Sequence, residues 1–375
     1  MKKVVIAIDS FKGCLPSAEA GKAAAEGIRS VYPECEVICL PIADGGEGML
    51  DVLIMATNGQ EVPISAHDPL MRWRNTYYGI SENGETAFIE MASISGLPLV
   101  PPERRNPMLT TTYGTGEIIR DALERGCRNF IIGIGGSATN DAGLGMLQAL
   151  GFCFSDKEGK EVGTGRGEVL IKVAHIDSTF VHPALNSCRF TVACDVQNPF
   201  YGPEGAAYVF APQKGADREM VEALDAGLQN FAEVIRHTTG KDISHHPGAG
   251  AAGGMGGSLL AFLNAELKPG IQLMLEALDF SNKIKSADLI ITGEGKADRQ
   301  TLMGKVPSGI LAEARKQNIP VILLAGNIED SDELQQAGFE GAFSVNPPFI
   351  SLEEAMRPEV ARKNIQQTVE SICKK

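Results

Sequence analysis

Three carboxylates in this chain stand just beyond short apolar runs, where a strand would give way to a turn. They are Asp9 in Asp9-Ser10-Phe11-Lys12, Asp44 in Asp44-Gly45-Gly46-Glu47-Gly48, and Asp195 in Cys194-Asp195-Val196-Gln197-Asn198-Pro199. One turn aspartate usually serves backbone N–H groups. Three at strand ends, in company with glycines and lysines, point instead to a site. Two longer segments add to it. Ile131–Gly143 runs from apolar residues through Gly135-Gly136 into Ser137, Thr139, Asn140 and Asp141. Leu289–Thr301 runs from apolar residues through Gly293-Glu294-Gly295 into Lys296, Asp298, Arg299 and Thr301. Glycine turns let backbone N–H groups approach phosphate oxygens. Carboxylates beside such turns can hold Mg²⁺, and lysines can neutralise the anion.

These groups need a scaffold that brings strand ends together. Residues 3–8 read as a buried parallel strand, 17–30 as a helix capped by Ser17, 36–40 as a strand and 47–56 as a helix. That β-α-β-α opening implies a parallel sheet covered on both faces. From about residue 65 the pattern becomes antiparallel. Strands are expected over 61–65, 73–80 and 86–91, with Asn83-Gly84 in a hairpin connection. Farther on, the segment after Gly135-Gly136 is expected to open a helix whose first turn holds Ser137 to Asp141. A long amphipathic helix is expected over 217–237. From about 285 the α/β rhythm returns. The fold class expected is therefore α/β with two domains. A flavodoxin- or Rossmann-like doubly wound parallel sheet is built from both chain ends (1–65 plus 285–375). A second α/β domain with a mixed sheet (66–284) interrupts it. In such sheets ligands bind beyond the carboxyl ends of the strands.

Composition narrows the function classes. The 375 residues carry 34 Lys+Arg against 47 Asp+Glu, a net charge of −13, so no general field draws nucleic acid to the surface. An anionic ligand must be met by local positive potential. The eight cysteines form no C-x-x-C pair and no zinc spacing, which reads as reduced thiols in a cytoplasmic protein. No run of 18 apolar residues implies a membrane span, and the apolar run after Lys2-Lys3 is too short for a secretory leader. The P-loop pattern fails at Gly304-Lys305, because Arg299 and Val306 stand where glycine and a hydroxyl are required. Protein-kinase signatures are absent. Gly248, Gly250 and Gly253 spell G-x-G-x-x-G, but Ser244-His245-His246-Pro247 before them is no strand. The tract therefore reads as close backbone approach to a phosphate rather than a dinucleotide fingerprint.

Taken in order, several segments resemble the class I glycerate kinase family: Asp9-Ser10-Phe11-Lys12, Pro41 to Gly48, Tyr113-Gly114-Thr115-Gly116-Glu117, Gly133 to Asp141, Ala193 to Pro199, Pro212-Gln213-Lys214-Gly215-Ala216, Pro247 to Gly256, and Ile291 to Gly295. The resemblance covers nearly the whole chain. It implies phosphorylation of D-glycerate by ATP with Mg²⁺, with 2-phosphoglycerate as product among bacterial members. It also implies two α/β domains, the flavodoxin-like one interrupted by the other.

For phosphoryl transfer through a loose transition state, positioning and charge neutralisation matter most. Asp195 is the candidate base for the acceptor hydroxyl, with Asp44 second; Lys12 is a further catalytic candidate, for the phosphates or the glycerate carboxylate. Asp298 and Glu294 are the candidate metal ligands. Gly135, Gly136 and Ser137, then Gly250, Gly253 and Gly254, are candidate phosphate-binding residues, with Lys305. Ser10 and Lys214 are candidates for the substrate. The expected partners are ATP and D-glycerate, with no nucleic acid and no membrane, and closure over ATP would exclude water. Rival readings are transfer to the 3-hydroxyl, a kinase for another small hydroxy acid, an NAD-dependent oxidoreductase, and a non-catalytic sugar-acid-binding protein.

Overall fold

The computed structural model describes residues 1–46 and 48–374. Glu47, expected to open a helix, lies outside the described residues. The strands in chain order are β1 (Lys3–Ile8), β2 (Glu36–Cys39), β3 (Gln60–His67), β4 (Trp73–Ile80), β5 (Thr86–Glu90), β6 (Asn129–Gly133) and β7 (Cys153–Ser155). They continue with β8 (His175–Asp177), β9 (Arg189–Ala193), β10 (Glu266–Lys268), β11 (Leu289–Ala297), β12 (Val321–Ile328) and β13 (Gly341–Ser344).

The chain divides into two compact units, Met1–Asp44 with Ile271–Lys375, and Gly45–Gly270. Both crossings fall earlier than the expected 65 and 284. Strand β3 pairs along its length with β4, so it belongs to the second sheet. Helix Met49–Ala56 goes with it, since Ile54 packs where a Cβ on Gly79 of β4 would stand. At the return crossing Ile271 fills the space beside Gly309 of the first unit.

The first unit carries one sheet in the order β13-β12-β11-β1-β2. Every neighbouring pair is parallel. Counted along the unit this is the flavodoxin-like order 2-1-3-4-5, whose switch point lies between β1 and β11. The β-branched run of β1 is buried from Val4 to Ile8, as a strand covered on both faces requires. Val4, Ile6 and Ile8 meet Ile291 and Leu324 from the sheet, and Ala20, Ala24 and Ile28 from helix Ser17–Val31. Ile365 and Val369 of helix Pro358–Cys373 complete that layer. The two helices run so close that a Cβ on Gly27 would lie 2.5 Å from the Gln366 carbonyl oxygen. Each fully buried isoleucine or leucine here contributes about 1.5–3 kcal/mol. Ser17, expected from sequence to cap its helix, does not do so. Pro16 holds the cap position, while Ser17 Oγ donates to the Ile8 carbonyl (2.6 Å) and accepts from Ile42 N–H (2.9 Å). It thereby ties the end of β1 to the segment that leads to Asp44.

The second unit has a six-stranded sheet, β10-β9-β6-β5-β4-β3. It is parallel from β10 to β5 and antiparallel from β5 to β3. Gly84 in the β4–β5 connection has φ +73°, which suits the Asn-Gly turn. Trp73, at the start of β4, is 67% exposed. The 217–237 helix spans Arg218–Thr239, and Asp217 caps it by accepting Met220 N–H at 2.9 Å. The glycine turn after β6 does not open a helix at Ser137. The helix runs Leu144–Ala149, entered through Gly143 at φ +74°. Among the described residues no helix is long and apolar enough to cross a membrane.

Candidate active site

In the first unit, Asp9 leaves β1 at the switch point, with its N–H on the Gly293 carbonyl of β11 (2.9 Å). The chain then turns tightly. Phe11 and Leu15 exchange backbone bonds of 2.9 Å each, and Gly13 supplies φ +73°. The turn leaves Lys12 exposed, its Nζ 3.8 Å from Asp44 Oδ2. Asp9 is only 8% exposed. Burial, and then the charge of Asp44, pushes its pKa up to about 7, against the pull of Ser10 N–H and Lys12. The Ser10 N–H donates to Asp9 Oδ1 at 2.6 Å.

From β11 comes Glu294, also buried. Its Oε1 accepts the Thr301 hydroxyl (2.6 Å), and Oε2 lies 3.7 Å from Lys305 Nζ. Burial raises its pKa despite those partners. Asp298 caps the turn Arg299–Leu302 in a capping box with Thr301, accepting Gln300 N–H at 2.8 Å. That N–H holds its carboxyl below the usual range. Lys296 stands 3.5 Å from Asp298 and 2.9 Å from Glu329.

Asp9, Ser10, Lys12, Asp44, Glu294, Lys296 and Lys305 line one cavity of about 500 Å³. The structure therefore joins five residues singled out from sequence: Ser10, Lys12, Asp44, Glu294 and Lys305. Asp298 does not line the cavity, though its charge acts on Glu294. Asp9 was read as a strand-end carboxylate and given no role; its place at the end of the first strand, beside the switch point, was the available signal. Asp195 is not among the residues that line this cavity. It follows β9 in the sheet of the second unit, and its Oδ1 accepts Gly270 N–H at 2.8 Å.

The second unit gathers a different set. Lys214 is 2% exposed, and its Nζ donates to Ser137 Oγ (2.7 Å) and to the Thr139 carbonyl (2.6 Å). Burial lowers its pKa to about 7, opposed by Asp141. Asp141, fully buried, accepts the N–H and hydroxyl of Thr112 (2.8 and 2.7 Å) and Gly145 N–H (3.2 Å). Thr139 Oγ1 and both polar side-chain atoms of Asn140 are buried without a hydrogen-bond partner. Gly135 and Gly136 are exposed, Gly136 with φ +70°.

Gly250, Gly253 and Gly254 do not resemble this open turn. All three are buried. A Cβ would lie 2.2 Å from the Pro199 carbonyl at Gly250, and 2.1 Å from the Thr139 carbonyl at Gly253. The N–H groups of Gly250 and Gly254 bond to Asn198 O and Gly250 O. Glycine is needed there for chain crossing inside the unit, where an expected phosphate cradle would have needed open backbone.

Among the described residues no group of three or more His, Cys, Asp or Glu side chains is poised for a metal. Mg²⁺ needs less from a protein, one or two carboxylates beside phosphate oxygens and water. The buried Glu294, its pKa raised in part by the charge of Asp298, fits that demand, because a cation would relieve the repulsion.

The family model described as the glycerate kinase family matches residues 4–375. A relative from Escherichia coli (strain K12), named glycerate 2-kinase, is 47% identical over 356 residues, covering 95% of this chain and 93% of that protein. A glycerate kinase from Bacillus subtilis (strain 168) is 46% identical, covering 99% and 97%. A crystal structure from Salmonella typhimurium LT2, described as a glycerate kinase 2, superposes with a TM-score of 0.90 at 43% identity. That match covers 100% of this chain and 97% of the other.

Proposed function

The chain belongs to the glycerate kinase family, and on that premise we propose that it transfers the γ-phosphoryl group of ATP to the 2-hydroxyl of D-glycerate, giving 2-phosphoglycerate and ADP. The observation that carries the reading is the convergence of Asp9, Asp44 and Glu294 with Lys12, Lys296 and Lys305 on one cavity at the switch point. The choice of the 2-hydroxyl leans on the name of the Escherichia coli relative. Free thiols at all eight cysteines favour a cytoplasmic place for the reaction.

The residues divide the work. Asp9, held by Ser10 N–H, takes the proton of the acceptor hydroxyl. A carboxylate with a pKa near 7 is well matched to accept a proton at neutral pH and return it. Lys12 and Lys305 are already beside carboxylates, so they are oriented before an anion arrives. Ser10 orients the acceptor. Glu294, backed by Asp298, would hold Mg²⁺, which when bound offsets the charge of the triphosphate. Asp44 sets the charge balance with Lys12. In the second unit, the exposed backbone of Gly135 and Gly136 is an anion-binding turn. Lys214 positions it by holding Ser137.

Asp195 gives up the base role to Asp9 in this reading and fastens Gly270 instead. The variants Asp9→Asn and Asp195→Asn separate the two assignments. The larger loss of kcat in Asp9→Asn supports the present one; the larger loss in Asp195→Asn returns the base to Asp195.

The deciding assay is ADP release from Mg-ATP and D-glycerate, with the product passed to enolase in the absence of phosphoglycerate mutase. ADP with phosphoenolpyruvate is the expected result. ADP alone moves the phosphate to the 3-hydroxyl. No glycerate-dependent ADP overturns the assignment and directs attention to other hydroxy acids.

A further inference from the structure

The cavity of the first unit has two unlike sides. The charged side has just been described. The other is formed by Phe11, Val345, Leu352, Ala355 and Met356. D-Glycerate is a three-carbon acid whose carboxylate and hydroxyls give such a wall nothing to cover. The volume of about 500 Å³ also exceeds what glycerate fills, and it falls in the range typical of sites for larger organic ligands.

The wall is not spare core. Leu352 is 76% exposed and Met356 39%, although this unit buries most of its other leucines and isoleucines in strands and helices. Ser351 caps the short helix Leu352–Ala355 through Glu354 N–H at 3.2 Å, and Ala355 is buried. Gly13 passes so near that a Cβ there would meet Met356 Cε at 3.3 Å. Gly295 and Gly326 also line the cavity, with Asn327 and Asn346 beside them. A Cβ on Gly326 of β12 would lie 2.6 Å from the Gly295 carbonyl of β11, so no side chain can rise from that point. Two glycines, an apolar wall and three lysines lining one cavity match a ligand with a planar ring at one end and phosphates at the other.

We propose that this wall seats the nucleobase of the donor nucleotide, the ring resting over Gly295 and Gly326 against Leu352 and Met356, with the phosphates directed to Lys12, Lys296 and Lys305. The inference rests on the reading that ATP is the phosphoryl donor. It places the whole nucleotide in the first unit, whereas the sequence pointed to glycine tracts of the second unit for part of that task.

Two measurements test it. Leu352→Asp and Met356→Asp put a carboxylate against the ring from positions open enough to keep the fold, which an unchanged melting temperature verifies. The expected result is a rise of tenfold or more in KM for ATP, with kcat and KM for glycerate within twofold of the parent. Unchanged KM for ATP in both variants overturns the proposal. Irradiation with 2-azido-ATP, without glycerate, reads the base position directly. Label in peptides covering 9–15 or 343–361 supports the seat, and label confined to 45–270 overturns it. The labelling also separates this proposal from the functional reading: label at 343–361 in a protein that releases no glycerate-dependent ADP keeps the seat and removes the assigned acceptor.

Discussion

The Nζ of Lys214 donates to the hydroxyl of Ser137, 2.7 Å away, from a position almost closed to solvent. A neutral amine has two N–H bonds, enough for Ser137 and the Thr139 carbonyl together. Burial lowers the Lys214 pKa from its ordinary 10.5 to about 7. Between those values the unfolded chain binds a proton that the folded chain does not, so stability rises with pH across the window. The contribution is complete above 10.5 and is lost as pH falls through about 7. Lys214→Met should remove this dependence. Urea unfolding at pH 7 and pH 9.5 should show the parent gaining up to about 3 kcal/mol relative to the variant. Equal gains would mean that Lys214 is charged in the folded protein.

Asp9→Asn should lower kcat by about 10²–10⁴, the usual worth of a general base. Asp195→Asn keeps an acceptor for Gly270 N–H, and its kcat should stay within tenfold of the parent. The parent kcat/KM should fall on the acid side of about pH 7, where Asp9 takes up its proton. An acid limb that survives Asp9→Asn unchanged belongs to another group.

Lys305→Ala removes the cation 3.7 Å from Glu294. A charge-assisted hydrogen bond to phosphate is worth about 1.5–3 kcal/mol, so KM for ATP should rise about tenfold or more. KM values for ATP and glycerate that both match the parent would take Lys305 out of the site.

Two glycine variants distinguish an open turn from internal packing. Gly253→Ala forces a Cβ within 2.1 Å of the Thr139 carbonyl at φ +68°, and should cost about 2 kcal/mol or more of stability. KM values of the folded fraction should not change. Gly136→Ala meets nothing nearer than Ala92 Cβ at 3.4 Å, though φ is +70°. It should cost about 1 kcal/mol and raise KM for the anion bound at the 135–137 turn. Equal kinetic effects from both variants would contradict the distinction.

Much of the scaffold could be read from local pattern. The apolar run 3–8 is β1 residue for residue, and 73–80 is β4. The β-α-β opening and the late return of that rhythm showed that both chain ends build one parallel sheet. These features depend on near neighbours: side-chain branching, periodicity, and turn residues such as Asn83-Gly84. The joint pattern of motifs also carried the family. What local pattern could not supply was the partner of each strand end. Asp9, Asp44 and Asp195 look alike in the sequence, each a carboxylate after an apolar run. Only strand pairing puts Asp9 and Glu294 on neighbouring strands β1 and β11, and Asp195 at the end of another sheet. The glycines at 250 and 253 likewise look like those at 135 and 136. Whether a glycine's backbone faces solvent or another segment is decided by chain crossings far away in sequence. The same holds for charge. The raised pKa of Asp9 comes from burial and from carboxylates contributed by distant segments, and the lowered pKa of Lys214 from burial alone against Asp141. The sequence determined which groups are available and which elements carry them. The tertiary structure decided which of them share a cavity, because proximity and desolvation exist only once the sheets have formed.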